Sequence, residues 1–313
     1  FVADLPSEKY YELSRQEEEL VNEYMNVVHD SDACAKIYTE LVAVRNNIAK
    51  ECGYDSYTDY AHESIYARDY TREEISDFSD AVAENFSGMF EDIFNATMIV
   101  RNSEAPMSES EAMQKIGSMV SEISPELKTS FDYMADNKLY NISYSDSKNN
   151  ASGSYTLVLP KIKAPYMFVN ASVPYEKNAS DNMRTIIHEF GHYSALLNDP
   201  ALLDENIELK GSFAMDTCEV QSQGLEALSE SYYGRLFGSG ASYERYVQLM
   251  QCLGAVIDGC MFNEFQTRVY DENITDIDRL NSIMQELLKK YYDLDYSPET
   301  AQGLWTSMIH NFE

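Results

Sequence analysis

The sequence predicts a mainly α-helical fold with one small β-sheet, and three observations carry the prediction. Apolar residues recur at helical spacing between recognisable caps over most of the 313 residues. One stretch, residues 141–173, abandons that period and reads as short strands around a polar loop. Just beyond it lies a helix bearing His188-Glu189-Phe190-Gly191-His192, an H-E-x-x-H word, so the sheet is expected beside that helix.

The elements follow in order. Lys9 to Val28 and Ala33 to Glu51 read as helices divided by the turn His29-Asp30-Ser31-Asp32, with Gly53 suited to close the second. Thr71 and Glu74 have the spacing of a capping box and open an amphipathic helix running to about Val100. Glu109 to Ile123 is a further helix, which Ser124-Pro125 ends while starting the next. Ser145 to Ser154 is a polar loop, and Tyr155–Leu159 and Tyr166–Asn170 are the two strands expected. Asn182 to Leu197 is the H-E-x-x-H helix, with Ser180 or Asp181 as N-cap and Asn198-Asp199-Pro200 as its stop. Thr217 to Glu230 reads as another helix. Helices then continue to the end, with breaks near Pro200–Gly211, Gly238–Gly240, Asp271–Asn273 and Pro298. No internal repeat is evident. A helical lobe over 1–140 and a region over 141–313 holding the sheet and the H-E-x-x-H helix, joined as one continuous unit, is the expected organisation.

Composition narrows the function. The chain is 44% hydrophobic and 24% charged, enough to bury a substantial core. No apolar run approaches the ~20 residues that span a bilayer. A formal charge of −30 argues against nucleic acid and anionic membranes as partners, since both reward Lys and Arg patches. Five Cys, odd in number and without a C-x-x-C pair, fit free thiols in a reducing compartment, which favours the cytoplasm.

The chemistry is concentrated in the H-E-x-x-H word. Positions four apart lie one above the other on a helix, so His188 and His192 can reach one metal ion while Glu189 is placed to handle a water beside it. Met183, Ile186, Ile187, Phe190, Leu196 and Leu197 make an apolar stripe, so the helix is half buried and the imidazole nitrogens need partners, which a metal supplies. A catalytic zinc site wants three protein ligands and one open position. Glu219, 27 positions after His192 (219 − 192), is the candidate third ligand, and Glu226, two turns further on the same face, is suited to orient a ligating His from behind. By spacing alone both are equally readable as surface carboxylates among the 53 acidic residues. His62-Glu63-Ser64-Ile65-Tyr66 begins like the same word but lacks the second His and reads as structural, and His29 is explained by its helix end. Cys218 lies beside Glu219 but about 100° around the helix from it, so it packs instead of ligating.

H-E-F-G-H followed by Glu219-Val220-Gln221-Ser222-Gln223-Gly224-Leu225-Glu226 resembles the M3 family of zinc metallopeptidases (thimet oligopeptidase, neurolysin and oligoendopeptidase F), whose second motif is E-x-x-S-x-x-x-E. Tyr38 to Ala49 with Gly53-Tyr54, Ser152 to Tyr155, Pro165 to Asn170, and Trp305 through His310-Asn311-Phe312 resemble segments of the oligoendopeptidase F branch, so the likeness touches nearly the whole chain. The resemblance implies a helical zincin-like (gluzincin) peptidase fold and a zinc-dependent endopeptidase acting on short peptides. One Zn²⁺ per chain would be held by His188, His192 and Glu219, with Glu226 behind them, Glu189 as general base and His310 stabilising the oxyanion. It also implies that a strand edge near Gly153, Phe168, Val169 and Asn170 holds the peptide by main-chain hydrogen bonds. Set against the family, the chain is expected to be trimmed at both ends. It opens Phe1-Val2-Ala3-Asp4 without an initiator Met, and it stops three residues after His310, before the Tyr-bearing stretch that binds the substrate carbonyl in the family. The alternative is therefore a catalytically impaired M3-like peptide-binding protein that keeps the zinc site. Oligomeric state and peptide preference are not legible in the sequence.

Overall fold

Local capping chemistry starts and stops several of the helices. The computed structural model describes residues 7–100, 107–143, 153–172, 178–199 and 215–312. In α1 (Glu8–Val27) the Ser7 hydroxyl accepts from the Tyr10 amide, and in α2 (Ser31–Glu51) the Asp30 carboxylate accepts from that of Ala33. Gly53, at φ +88°, follows the end of α2 in the left-handed region that a residue without Cβ enters freely. After the short α3 (Tyr57–Tyr60) and one π-helical turn (Ala61–Ile65), the capping box opens α4 (Arg72–Ile99). Thr71 N–H donates to the Glu74 carboxylate at 2.7 Å while Glu74 N–H donates to the Thr71 hydroxyl at 3.1 Å. Ser124 closes α5 (Glu109–Ile123) and caps α6 (Pro125–Asp136), with Pro125 at the first helical position.

The sheet differs from the expected two strands. Three strands form, β1 (Tyr140–Ser143), β2 (Tyr155–Leu159) and β3 (Ala164–Asn170), in the order β1-β3-β2. β1 pairs parallel with β3, Tyr140 opposite Met167, and β2 pairs antiparallel, Tyr155 opposite Phe168. The four residues of β1 are too few to show an alternation by themselves, and only pairing with β3 makes them a strand. Most of the expected polar loop, Val173, and the break from Pro200 to Gly211 lie outside the described residues.

The remaining helices are α7 (Ala179–Leu197), α8 (Val220–Ser229), α9 (Tyr233–Leu236), α10 (Ala241–Asp271), α11 (Ile277–Tyr292) and α12 (Pro298–Ser307). α7 starts earlier than expected: Asn178 is its N-cap, and Ser180 and Asp181 lie inside the first turn.

Packing divides the chain into two units, Phe1–Phe94 with Met250–Glu313, and Asn95–Leu249. The first unit is discontinuous because the C-terminal helices share a core with the N-terminal ones. Tyr38, Leu41, Phe265, Trp305 and Phe312 are buried together there, and Tyr24 stacks on Phe312 at 3.8 Å. Arg45, 4% exposed, ion-pairs with Glu17 at 2.6 Å and donates to the Tyr270 hydroxyl and to the carbonyls of Asn311 and Phe312. The second unit packs α5, α6 and one face of the sheet around α7. Ile116, Met134, Met167, Val169, Ile186 and Phe190 are buried in its core, with Phe131 edge-on to Phe190 at 5.4 Å. Among the described residues no helix is long and apolar enough to cross a membrane.

Candidate metal centre

The second unit brings His188, His192 and Glu219 together. α7 buries Met183, Ile186, Ile187 and Phe190, which turns the His pair toward an open cavity of about 490 Å³ bordered by β2 and the start of α8. His188 Nε2 and His192 Nε2 are 3.3 Å apart, and Glu219 Oε2 is 3.3 Å from each, so the three donor atoms form an equilateral triangle. Among the described residues these three are the group of His, Cys, Asp and Glu able to share a metal ion. The helix expected from Thr217 begins later, at Val220. Glu219 is its N-cap residue, after a 3₁₀ turn (Met215–Thr217), which frees its side chain to turn toward α7 instead of lying along α8.

Two of the three, His188 and Glu219, are held by further hydrogen bonds. His188 Nδ1 donates to Glu226 Oε1 at 2.5 Å, which leaves the Nε2 lone pair facing the triangle. Ser222, fully buried one turn into α8, donates to Glu219 Oε2 at 2.6 Å. Burial disfavours the imidazolium of His188, but the hydrogen bond and charge of Glu226, joined by Glu219 and Glu189, outweigh it and raise its pKa. Glu219 is lowered to about 2, first by its hydrogen bond with His192 and then, against some burial, by Ser222 and the imidazole charges.

Glu189 points from the same helix into the same cavity. It is 5% exposed, and burial raises its pKa against the pull of the Thr156 hydroxyl and the two imidazoles. Thr156, on β2, donates to Glu189 Oε2 at 2.8 Å. Sequence reading passed over Thr156, because only the antiparallel turn of β2 onto α7 makes it a neighbour of the acid.

Gly191 has a structural part that the H-E-x-x-H word does not announce. A Cβ there would meet Ser222 Cα at 2.6 Å and the Gln221 carbonyl oxygen at 2.8 Å. Glycine lets the α7 and α8 backbones approach closely enough for Glu219 to reach both imidazoles. The signal was present in the sequence, a glycine inside a strongly periodic helix.

The expected peptide-holding residues are placed differently from one another. β3 is the central strand, its main chain committed to β1 and β2, so Phe168, Val169 and Asn170 do not form a sheet edge. Val169 is fully buried in the core, and Phe168 stacks on Tyr155 at 5.0 Å. Among the described residues the edge strand beside the His188–His192–Glu219 triangle is β2, and Gly153, at φ +110°, leads into it. Next to it, the Ser154 hydroxyl accepts from the Asn170 amide at 3.0 Å. His310 belongs to the first unit, exposed on the turn Ile309–Asn311. His62 is there too, on the π-helical turn and apart from any metal group. The five cysteines are thiols and none is in a disulfide, and the Cys218 sulfur lies 3.8 Å from Glu219 Oε1.

No protein-family model matches the sequence, and no curated protein matches it. Solved structures do. One assigned as an oligoendopeptidase F, crystallised by microfluidic seeding, superposes with a TM-score of 0.79 at 18% identity over 98% of this chain and 63% of its own. PZ peptidase A, solved with an inhibitor, matches with a TM-score of 0.79 at 19% identity over 98% of this chain and 64% of its own. An oligoendopeptidase F assignment from Bacillus anthracis matches at 0.68 and 20% identity over 87% and 51%. The chain thus spans just under two thirds of the length of the first two. Its mainly helical architecture, with a three-stranded sheet lying against the H-E-x-x-H helix, is the oligoendopeptidase F-like peptidase fold.

Proposed function

We propose that the second unit carries the zinc centre and general base of a metallopeptidase that cleaves short peptides. The observation that carries this reading is the donor triangle. Two imidazole nitrogens and a carboxylate oxygen are the donor types zinc takes, and ligands at its usual bond length of 2.0–2.1 Å on a tetrahedron stand about 3.3–3.4 Å apart. The three edges here are each 3.3 Å. Bound there, zinc would supply Lewis-acid activation of a water and of the scissile carbonyl.

The chain's own residues do the rest. Thr156 fixes Glu189 Oε2, leaving Oε1 to take the proton of the attacking water and pass it to the leaving amine. Burial makes that carboxylate more basic than an exposed one, which suits proton transfer near neutral pH. The outer edge of β2, unpaired among the described residues, offers main-chain hydrogen bonds to an extended peptide alongside the metal ligands, a mode tolerant of side-chain sequence. A part for His310 as oxyanion donor rests on the family resemblance alone.

The test pairs metal analysis of the purified chain with a quenched fluorogenic peptide, with and without chelator. One zinc per chain, lost in His188→Ala and Glu219→Ala, together with chelator-sensitive cleavage, is expected. Glu189→Gln should keep the zinc and slow cleavage by about 10²–10⁴-fold. A chain without stoichiometric zinc overturns the reading. Zinc with peptide binding but no cleavage would instead make it a metal-dependent peptide-binding protein.

A further inference from the structure

Glu226, which holds His188 from behind, is itself held. Its second oxygen, Oε2, accepts from the Gln248 side-chain amide at 2.8 Å, and Gln248 Oε1 accepts in turn from the Tyr233 hydroxyl at 3.3 Å. Gln248 is 7% exposed and Tyr233 only 1%. The line therefore runs from Tyr233 on α9, through Gln248 on α10 and Glu226 on α8, to His188 on α7. With each Glu226 oxygen committed to a different partner, the carboxylate cannot turn without breaking both bonds. The Glu226 carboxylate, which can only accept, selects the NH₂ end of the Gln248 amide, and the Tyr233 hydroxyl then donates to the carbonyl end.

A second contact repeats one helical turn away. Arg184, four residues before His188, ion-pairs with Glu244, four residues before Gln248, and Glu244 is 1% exposed. The faces bearing 184 and 188 on α7 and 244 and 248 on α10 are therefore registered at two levels, one by charge and one by the amide.

We propose that Gln248 and Tyr233 are positioning residues for the metal centre. They set the orientation of His188 through Glu226, so that its Nε2 lone pair is presented to the ion in one geometry. The inference rests on the zinc reading above. It adds to that reading two residues outside both sequence motifs, one of them on α10. Partners bonded directly to a ligating His typically govern metal affinity by 10–100-fold, so a residue one bond further out should govern it by roughly 3–10-fold.

The experiment is competition for zinc between the whole purified chain and a chromophoric chelator at fixed pH. Gln248→Met, close in shape but without the amide, should weaken zinc binding by roughly 3–10-fold, and Glu226→Gln by more. Tyr233→Phe, which removes one buried oxygen, should weaken it in the same direction by about 2-fold, and it serves if the Gln248 variant does not fold. The decisive arm is the double variant Glu226→Gln/Gln248→Met. Action through Glu226 predicts that the second change adds almost nothing to the first, whereas a merely structural role adds its full loss. Additive losses, or unchanged affinity in Gln248→Met or Tyr233→Phe, overturn the proposal. Failure of the underlying reading looks different: the unaltered chain itself would not hold zinc, and His188→Ala would change nothing.

Discussion

His188 is where a proton and a metal ion meet most directly. Nδ1–H is committed to Glu226, so a second proton can enter only at Nε2, the atom offered to the metal. Because Glu226 and its neighbours raise the His188 pKa, protons compete over a wider range than at an ordinary imidazole. Zinc retention should therefore fall as pH falls, beginning above the usual imidazole range. Glu226→Gln removes the largest stabiliser of the imidazolium, so its retention curve should shift to lower pH even though affinity at neutral pH is weaker. Zinc titrations at several pH values check both signs. Thr156 acts on the other function of the site. Its hydroxyl lowers the Glu189 pKa against burial, so Thr156→Val, similar in shape, should raise it further. The acid limb of the pH–rate profile of peptide cleavage would then move to higher pH, with a loss near neutrality well short of the ~10²–10⁴-fold that a general base contributes.

At the scale of elements, the centre depends on how closely two helices pass. Gly191 faces the backbone of α8 and not a flexible side chain, so nothing there can swing aside for a methyl group. Gly191→Ala should push α8 away and carry Glu219 with it. We expect a loss of stability of about 1–3 kcal/mol by overpacking, with zinc binding weakened well beyond what that loss explains. Urea denaturation of the metal-free form and zinc competition on the same variant separate the two effects. Helix ends elsewhere behave as independent modules. The Thr71–Glu74 box and the Ser124-Pro125 junction between α5 and α6 both formed where the residues alone place them. The sheet is the contrast. β1 carried no readable period, and without it β3 looked like an outer strand when it is the central one.

For the whole chain, the first unit is closed by residues far apart in sequence. Arg45 on α2 satisfies the carbonyls of Asn311 and Phe312 and pairs with Glu17, inside a core that also buries Trp305 and Phe312. Arg45→Met keeps the volume but removes every donor, stranding two buried carbonyls and the Tyr270 hydroxyl. A loss of about 3–5 kcal/mol in urea denaturation is expected, as for a buried pair deprived of one partner.

The sequence by itself determined what is local. Helices announced by caps, the paired imidazoles four residues apart and the acid between them depend on neighbours within a few positions, where backbone geometry leaves little choice. The resemblance added Glu219 by its spacing in a second motif. The tertiary structure decided everything that requires two distant segments to meet. It made β2 the edge strand and set Thr156 on Glu189. It aligned Gln248 behind Glu226 and returned the C-terminal helices to the core of α1 and α2. The physical reason is the same in each case: a hydrogen bond or a packed side chain is specified by two partners, and one-dimensional periodicity reports only one of them.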